Sequence, residues 1–176
     1  MKKVFLLLSI AVFFAGCGNK TEKTDEGKDS VVQEEVFKDV GPSFSETIDL
    51  AGEKYAIDIK CAIDPQAAKV IDNVDNKFYD NAVTVTIKRD GADFYNYVFH
   101  KSDFAPYIKD KAVDKLILQG MNYMSAENAK IRLSAGVGEP GETEGGSNFC
   151  ITVFSDGHHE IEVDLTQNES GDEPLD

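Results

Sequence analysis

Residues 81–100, NAVTVTIKRDGADFYNYVFH, leave few choices of local structure. Val83, Val85 and Ile87 alternate with Thr84, Thr86 and Lys88. A period of two puts the apolar side chains on one face of a half-buried β-strand. Asp90-Gly91 follows, a strong turn signal because glycine accepts positive φ at no steric cost. Tyr95, Tyr97 and Phe99 then repeat the alternation in the returning direction. The stretch reads as a β-hairpin with an aromatic return strand, expected at the centre of an antiparallel sheet.

The same period recurs on both sides. Phe44, Glu46, Ile48 and Leu50 alternate with Ser45, Thr47 and Asp49; the Ala51-Gly52-Glu53-Lys54 turn leads into Tyr55, Ile57, Ile59, Cys61 and Ile63 on one face. Pro65 ends that strand, since proline cannot donate to a ladder. Further on, Ile131, Leu133, Ala135 and Val137 form one apolar face, and Phe149, Ile151 and Val153 another. Asp156-Gly157 then turns the chain into Ile161, Val163 and Leu165. Between these strands, 67–71 reads as a short helix and 72–80 as a polar loop. Ser102-Asp103 can cap a helical turn through Tyr107, and Asp110 can cap another carrying Val113, Leu116 and Ile117, with Gly120 as its stop. The expectation is a mostly β fold of about seven antiparallel strands with one or two short helices. Clean alternation of this kind belongs to antiparallel sheets. A single sheet must still cover its apolar face, so a sandwich or strongly curved sheet is expected, the alternative lid being the helices.

The chain opens with Lys2-Lys3, an apolar run from Val4 to Ala15 broken by Ser9, and Phe14-Ala15-Gly16-Cys17. A charged start, a short apolar core and small residues before a cut site make a secretory signal, too short to span a bilayer. Its end resembles the lipobox of bacterial lipoproteins, with Phe14 in place of the usual Leu. The resemblance implies acylation of Cys17 and cleavage just before it. Residues 1–16 are then a signal peptide, and 17–43 a lipidated, acidic tether poor in apolar residues. Residues 44–165 form one β-rich domain, and 166–176 an acidic tail expected to be disordered. Several acyl chains hold a protein stably on a membrane. Gly18-Asn19 lacks an aspartate that would retain the protein at the inner membrane, so an outer-membrane place in the cell envelope is expected, on its periplasmic or surface side. The formal charge is −14; removing Lys2 and Lys3 with the signal leaves 16 bases against 32 acids, or −16. Such a surface argues against nucleic acid and anionic headgroups as partners. A protein, peptide or glycan partner is expected instead.

VTVTIKRDG, FHKSDFAPYI, LILQGMNY, KIRLSAGVGEP and ITVFSDGHHEIEVD, followed by an acidic tail, resemble a family of small lipoproteins catalogued as domain of unknown function 4738. The resemblance covers about residues 79–164 and implies a β-rich extracytoplasmic domain. It brings no activity.

No catalytic constellation stands out, and no cofactor or metal is expected. Cys61 and Cys150 form a candidate disulfide if their Cα atoms come within about 7 Å; two separate thiols are the alternative. Cys61 shares the apolar face of its strand, whereas Cys150 has the parity of an outward residue. His158-His159 point to opposite faces of a strand and are poorly placed to chelate one metal, so two solvated turn histidines are expected. His100 has no recognisable nucleophile partner. Asp72, Asn73, Asp75, Asn76, Asp80 and Asn81 offer oxygen ligands without EF-hand spacing, so a polar loop is favoured over a calcium site. Glu139, Glu142 and Glu144 lie in a Gly-rich loop, expected to be mobile, that lacks the rigid cleft of a catalytic acid pair. Gly136, Gly138 and Gly141 resemble a phosphate loop only in spacing, because the neighbouring Glu residues would repel phosphate. Tyr95, Tyr97, Tyr123, Phe94 and Phe104 are read as core, or else as an aromatic binding face. The leading functional expectation is a non-catalytic binding module. The alternatives are an inhibitor of a secreted enzyme acting through the 138–147 loop, and a hydrolase with an unfamiliar site that collects His100 or His158 with carboxylates. Replacing Cys17 with alanine is expected to move the protein from the detergent phase to the aqueous phase of a detergent-partition assay and to abolish incorporation of labelled palmitate.

Overall fold

The computed structural model describes residues 35–109, 112–142 and 146–166. In chain order the strands are β1 (Val36–Phe37), β2 (Phe44–Leu50), β3 (Glu53–Ile63), β4 (Val70–Ile71), β5 (Lys77–Phe78), β6 (Asn81–Arg89), β7 (Ala92–His100), β8 (Ile117–Glu127), β9 (Lys130–Gly138), β10 (Ser147–Val153) and β11 (His159–Val163). Two four-stranded antiparallel sheets run β2-β3-β6-β7 and β11-β10-β9-β8, and a small third sheet runs β1-β5-β4. One helix, α1 (Lys101–Phe104), continues into a 3₁₀ turn at Ala105–Tyr107. Among the described residues no helix is long and apolar enough to cross a membrane.

The period-two pattern explains the sandwich. Ile57 and Ile59 of β3, Val83, Val85 and Ile87 of β6, and Phe99 of β7 bury their side chains in the same cluster as Met121 of β8, Leu133 and Val137 of β9, and Phe149 and Ile151 of β10. Each such side chain contributes about 1.5–3 kcal/mol when removed from water. Two aromatic contacts close the sides. Phe44 of β2 stacks on Tyr123 of β8 at 5.9 Å. His159 of β11 packs against Tyr95, Tyr97 and Phe99 of β7, with centroids 5.8, 4.6 and 5.2 Å away. The Tyr95 hydroxyl lies 3.0 Å from His159 Nδ1. Burial raises the phenol and lowers the imidazole, so the phenol donates to a neutral ring.

The ends of the sandwich differ. The turns at Ala51-Gly52, Asp90-Gly91 and Asn128-Ala129 all have positive φ, as does Gly157 in the fourth. They gather at one end, where Asp90 N–H donates to the Lys54 carbonyl (2.8 Å) and Lys54 N–H to the Asp90 carboxylate (2.9 Å). The opposite end carries α1, the small sheet and the longer connections.

Several sequence expectations need correction. The mostly β, sandwich-like architecture is as expected, but Ile117–Glu127 is a strand and not the end of a helix, which makes eight long strands among the described residues. Gly120, at φ 144°, does not stop a helix there. It lies at a shift of register between β8 and β9, and Gly41 packs against the neighbouring Gln119 carbonyl so closely that a Cβ on Gly41 would clash with it. Val70–Ile71 is strand rather than helix. The hairpin of β6 and β7 lies at one side of its sheet, with β7 as the edge. The fold also begins before residue 44, since β1 pairs in parallel with β5. Residues 167–176, read as a tail, lie outside the described residues.

Phe99 touches Phe104, which in turn packs on Phe149 of the other sheet at 4.9 Å. Phe99→Ala is expected to cost about 3–5 kcal/mol in urea unfolding. A second expectation concerns pH. Burial holds the folded His159 ring below its ordinary range, partly offset by Asp103 and reinforced by His158. The unfolded chain therefore takes up this proton first. The associated stability is intact above about pH 6.5 and declines below it until the folded ring also titrates. The urea midpoint should fall between pH 7.5 and 5.5, and fall less in His159→Gln.

Candidate functional site

A cleft of about 310 Å³ opens at the end of β3, β6 and β7, lined by Asp64, Gln66, Ala67, Ala68, Asp80, Asn81, His100, Lys101 and Ser102. It forms because β7 stops at His100, whose backbone N–H is accepted by Asp103 at 2.8 Å. That bond starts α1 and turns His100 and Lys101 together out of the strand.

Half-exposed His100 meets the Asp64 carboxylate through Nδ1 at 2.9 Å. The Gln66 backbone N–H, 2.9 Å from Asp64, is the main influence holding that carboxyl below its usual range; burial opposes it and His100 assists. With Asp64 ionised, the hydrogen of this contact sits on Nδ1. Asp64 thus orients the ring.

Deeper in, Lys101 Nζ lies 3.0 Å from Asp80 Oδ2 and donates to the Leu116 carbonyl at 2.6 Å. Asp80 Oδ1 accepts the N–H groups of Asn81 (2.8 Å) and Leu118 (3.0 Å). The Asn81 amide donates to the carbonyls of Asp39 (2.7 Å) and Leu118 (2.9 Å). Asp80 and Asn81 are 4% and 1% exposed, so this is an interior polar cluster. Two carbonyls facing Nδ2 fix the amide's orientation. Asn81 Oδ1 then has no partner among the described residues. A buried acceptor left in this state costs about 1–3 kcal/mol.

The structure distributes the sequence candidates differently. Cys17 lies outside the described residues. Cys61 and Cys150 are both buried and both free. Cys61 belongs to the shared core, whereas Cys150 points to the opposite face of β10, beneath Arg132 Nε at 3.3 Å. The second sheet therefore stands between the two thiols, and the candidate disulfide does not form. His158 is exposed, pairing with Asp156 and stacking on Phe154 at 4.2 Å. His159 is not a solvated turn residue, because its parity turns it toward the aromatic side of β7. The calcium candidates separate. Asp72 closes its own loop by accepting from Val74 N–H (2.8 Å) and Asn76 N–H (2.9 Å), while Asp80 and Asn81 serve the cleft. Among the described residues no group of three or more His, Cys, Asp or Glu could hold a metal ion.

The described part of the 138–147 loop is fastened. Gln119 donates to the carbonyls of Glu139 and Glu142, and Gly141 N–H donates to Asp39 at 2.7 Å. Asn73 donates to the Glu139 carboxylate at 3.0 Å. Gly138 gives room to Gln119, whose side chain a Cβ would meet at 2.8 Å, so that glycine serves packing rather than phosphate. Residues 143–145, Glu144 included, lie outside the described residues. Of the aromatic set, Tyr95 of β7 and Phe104 of α1 are buried, and Phe94, Tyr97 and Tyr123 pack against the core. Sequence reasoning missed Asp64, Lys101 and the pairing of Asp80 with Leu118. The one available signal was the lysine placed directly after an aromatic strand.

A family model described as Domain of unknown function (DUF4738) matches residues 20–161 of the chain. No curated protein matches it.

Breaking the interior ion pair from one side leaves a buried charge. Lys101→Met is expected to cost about 3–5 kcal/mol. The double variant Lys101→Met with Asp80→Asn should cost less than the sum of the two single changes, as read by a urea double-mutant cycle.

Proposed function

The chain belongs to the DUF4738 family, and on that footing we propose that it is a lipid-anchored module of the cell envelope that binds a partner rather than transforming it. One observation carries the reading: the charged groups of the cleft are committed to holding the fold. Lys101 serves Asp80 and Leu116, and Asp64 serves Gln66 and His100. What remains to face a partner is hydrogen-bonding capacity, chiefly that of the half-exposed His100 ring. The cleft volume lies at the small end of the range for ligand sites. It suits one peptide side chain or one sugar ring of a protein, peptide or glycan partner. The sequence pattern around Cys17 supplies the anchor and favours the outer membrane.

A second reading rests on the same dyad. An imidazole oriented by a carboxylate is half of a nucleophilic pair, and Ser102 lines the same cleft. A hydrolase would need the Ser102 hydroxyl brought to His100.

Two measurements separate the readings. A photo-crosslinking residue at Ala68 of the full-length protein in its own envelope is expected to capture a discrete species, and one at Asp93 is not. Equal capture at both positions would sink the binding site. Labelling of the protein by a fluorophosphonate, lost in Ser102→Ala and in His100→Ala, would favour the hydrolase.

A further inference from the structure

The two ends of the sandwich differ in apolar exposure. Nine large apolar side chains are exposed among the described residues. Four of them, Phe37 (40%), Val40 (43%), Ile71 (44%) and Val74 (73%), belong to the small sheet and its flanking segments. Val163 and Leu165 close the same end, since Val163 pairs with Phe149 near the start of β10 and Asp164 N–H donates to the Asn148 carbonyl. None of the nine lies in the four tight turns. The turn end presents charge instead: Lys88 with Asp93, Arg89 with Glu53, and Asp156 with His158.

The apolar end is also the end at which the chain arrives from its amino-terminal side, because β1 follows directly on Glu35. From Cys17 to Glu35 is a path of 18 residues, which reaches about 60–65 Å at full extension. Connectivity therefore joins Cys17 to the fold at the small sheet rather than at the turns.

We propose that this end lies against the membrane, with Val74 at the tip of the β4–β5 connection leading into the headgroup region, so that the charged turn end faces away. The inference rests on the lipid-anchor reading and gives it an orientation. Its occupant is a zwitterionic phospholipid surface. Apolar side chains dip into the headgroup boundary without a charge requirement, and a chain that carries 16 bases against 32 acids once Lys2 and Lys3 are removed is repelled by anionic headgroups.

The absence of tryptophan from the chain makes the test direct. Full-length lipidated protein carrying Val74→Trp, and separately Asp93→Trp, is reconstituted on phosphatidylethanolamine–phosphatidylcholine vesicles with brominated acyl chains. The expected result is flotation of both proteins with the vesicles, and a blue shift and bromine quenching for Val74→Trp alone. Flotation with no quenching at either position overturns the docking and leaves the anchor standing. Failure to float overturns both. A Val74→Trp shift that depends on protein concentration without vesicles assigns the patch to a second copy of the chain and overturns the membrane docking.

Discussion

The sandwich is pinned at one end by two consecutive polar residues. Asp80 and Asn81 between them engage both the N–H and the C=O of Leu118. They sit at the start of β6 in one sheet, and Leu118 lies near the start of β8 in the other. Apolar packing would hold two sheets together in many relative positions, because burial is non-directional. Hydrogen bonds to both backbone groups of one residue select one of them. Lys101 then neutralises Asp80 and ties α1 to the Leu116 carbonyl, so the corner where both sheets meet also sets where β7 ends. Such a cluster is an uncertain source of net stability, since desolvation offsets attraction. Its value lies in fixing which strand meets which.

The cleft is a by-product of that corner. The chain leaves β7 through His100 because Asp103 caps the turn, and it leaves β3 through Asp64 because Pro65 cannot continue the ladder. Two strand ends in the same sheet thereby place an acid and an imidazole side by side, although 36 residues separate them. The same end also fastens the 139–142 segment through Gln119 and Asp39, which makes it the more elaborated half of the molecule.

Much of the sheet structure was legible because the buried faces keep strict alternation: Val83-Val85-Ile87 and Ile131-Leu133-Ala135-Val137 appear in the structure as read. The missed strand breaks that rule. β8 opens with two consecutive buried residues, Ile117 and Leu118, directly after buried Leu116, and has two shifts of register, so its period is spoiled where it crosses the corner. β1, β4 and β5 are two residues long and leave no period at all. Parity succeeded for Cys150, which does point away from the core, but could not reveal that Arg132 covers it. The site was invisible for a different reason. Asp80, Lys101 and Leu118 are far apart in the chain, and nothing local in any of them announces the other two.

Each large sheet is drawn from one unbroken half of the chain: β2 to β7 supply the first, interrupted only by the β4–β5 hairpin, and β8 to β11 supply the second. Nearly all strand neighbours are therefore close in sequence, which lowers contact order for an all-β fold and favours rapid pairing. A chain that emerges amino terminus first can complete the hydrogen bonding of its first sheet before any of the second exists. That sheet cannot become a stable structure alone, because the faces of β3 and β6 stay wet until Leu118 arrives to be clamped. Assembly is thus two local events followed by one mutual burial, and the interval between them is when the chain exposes its largest sticky surface.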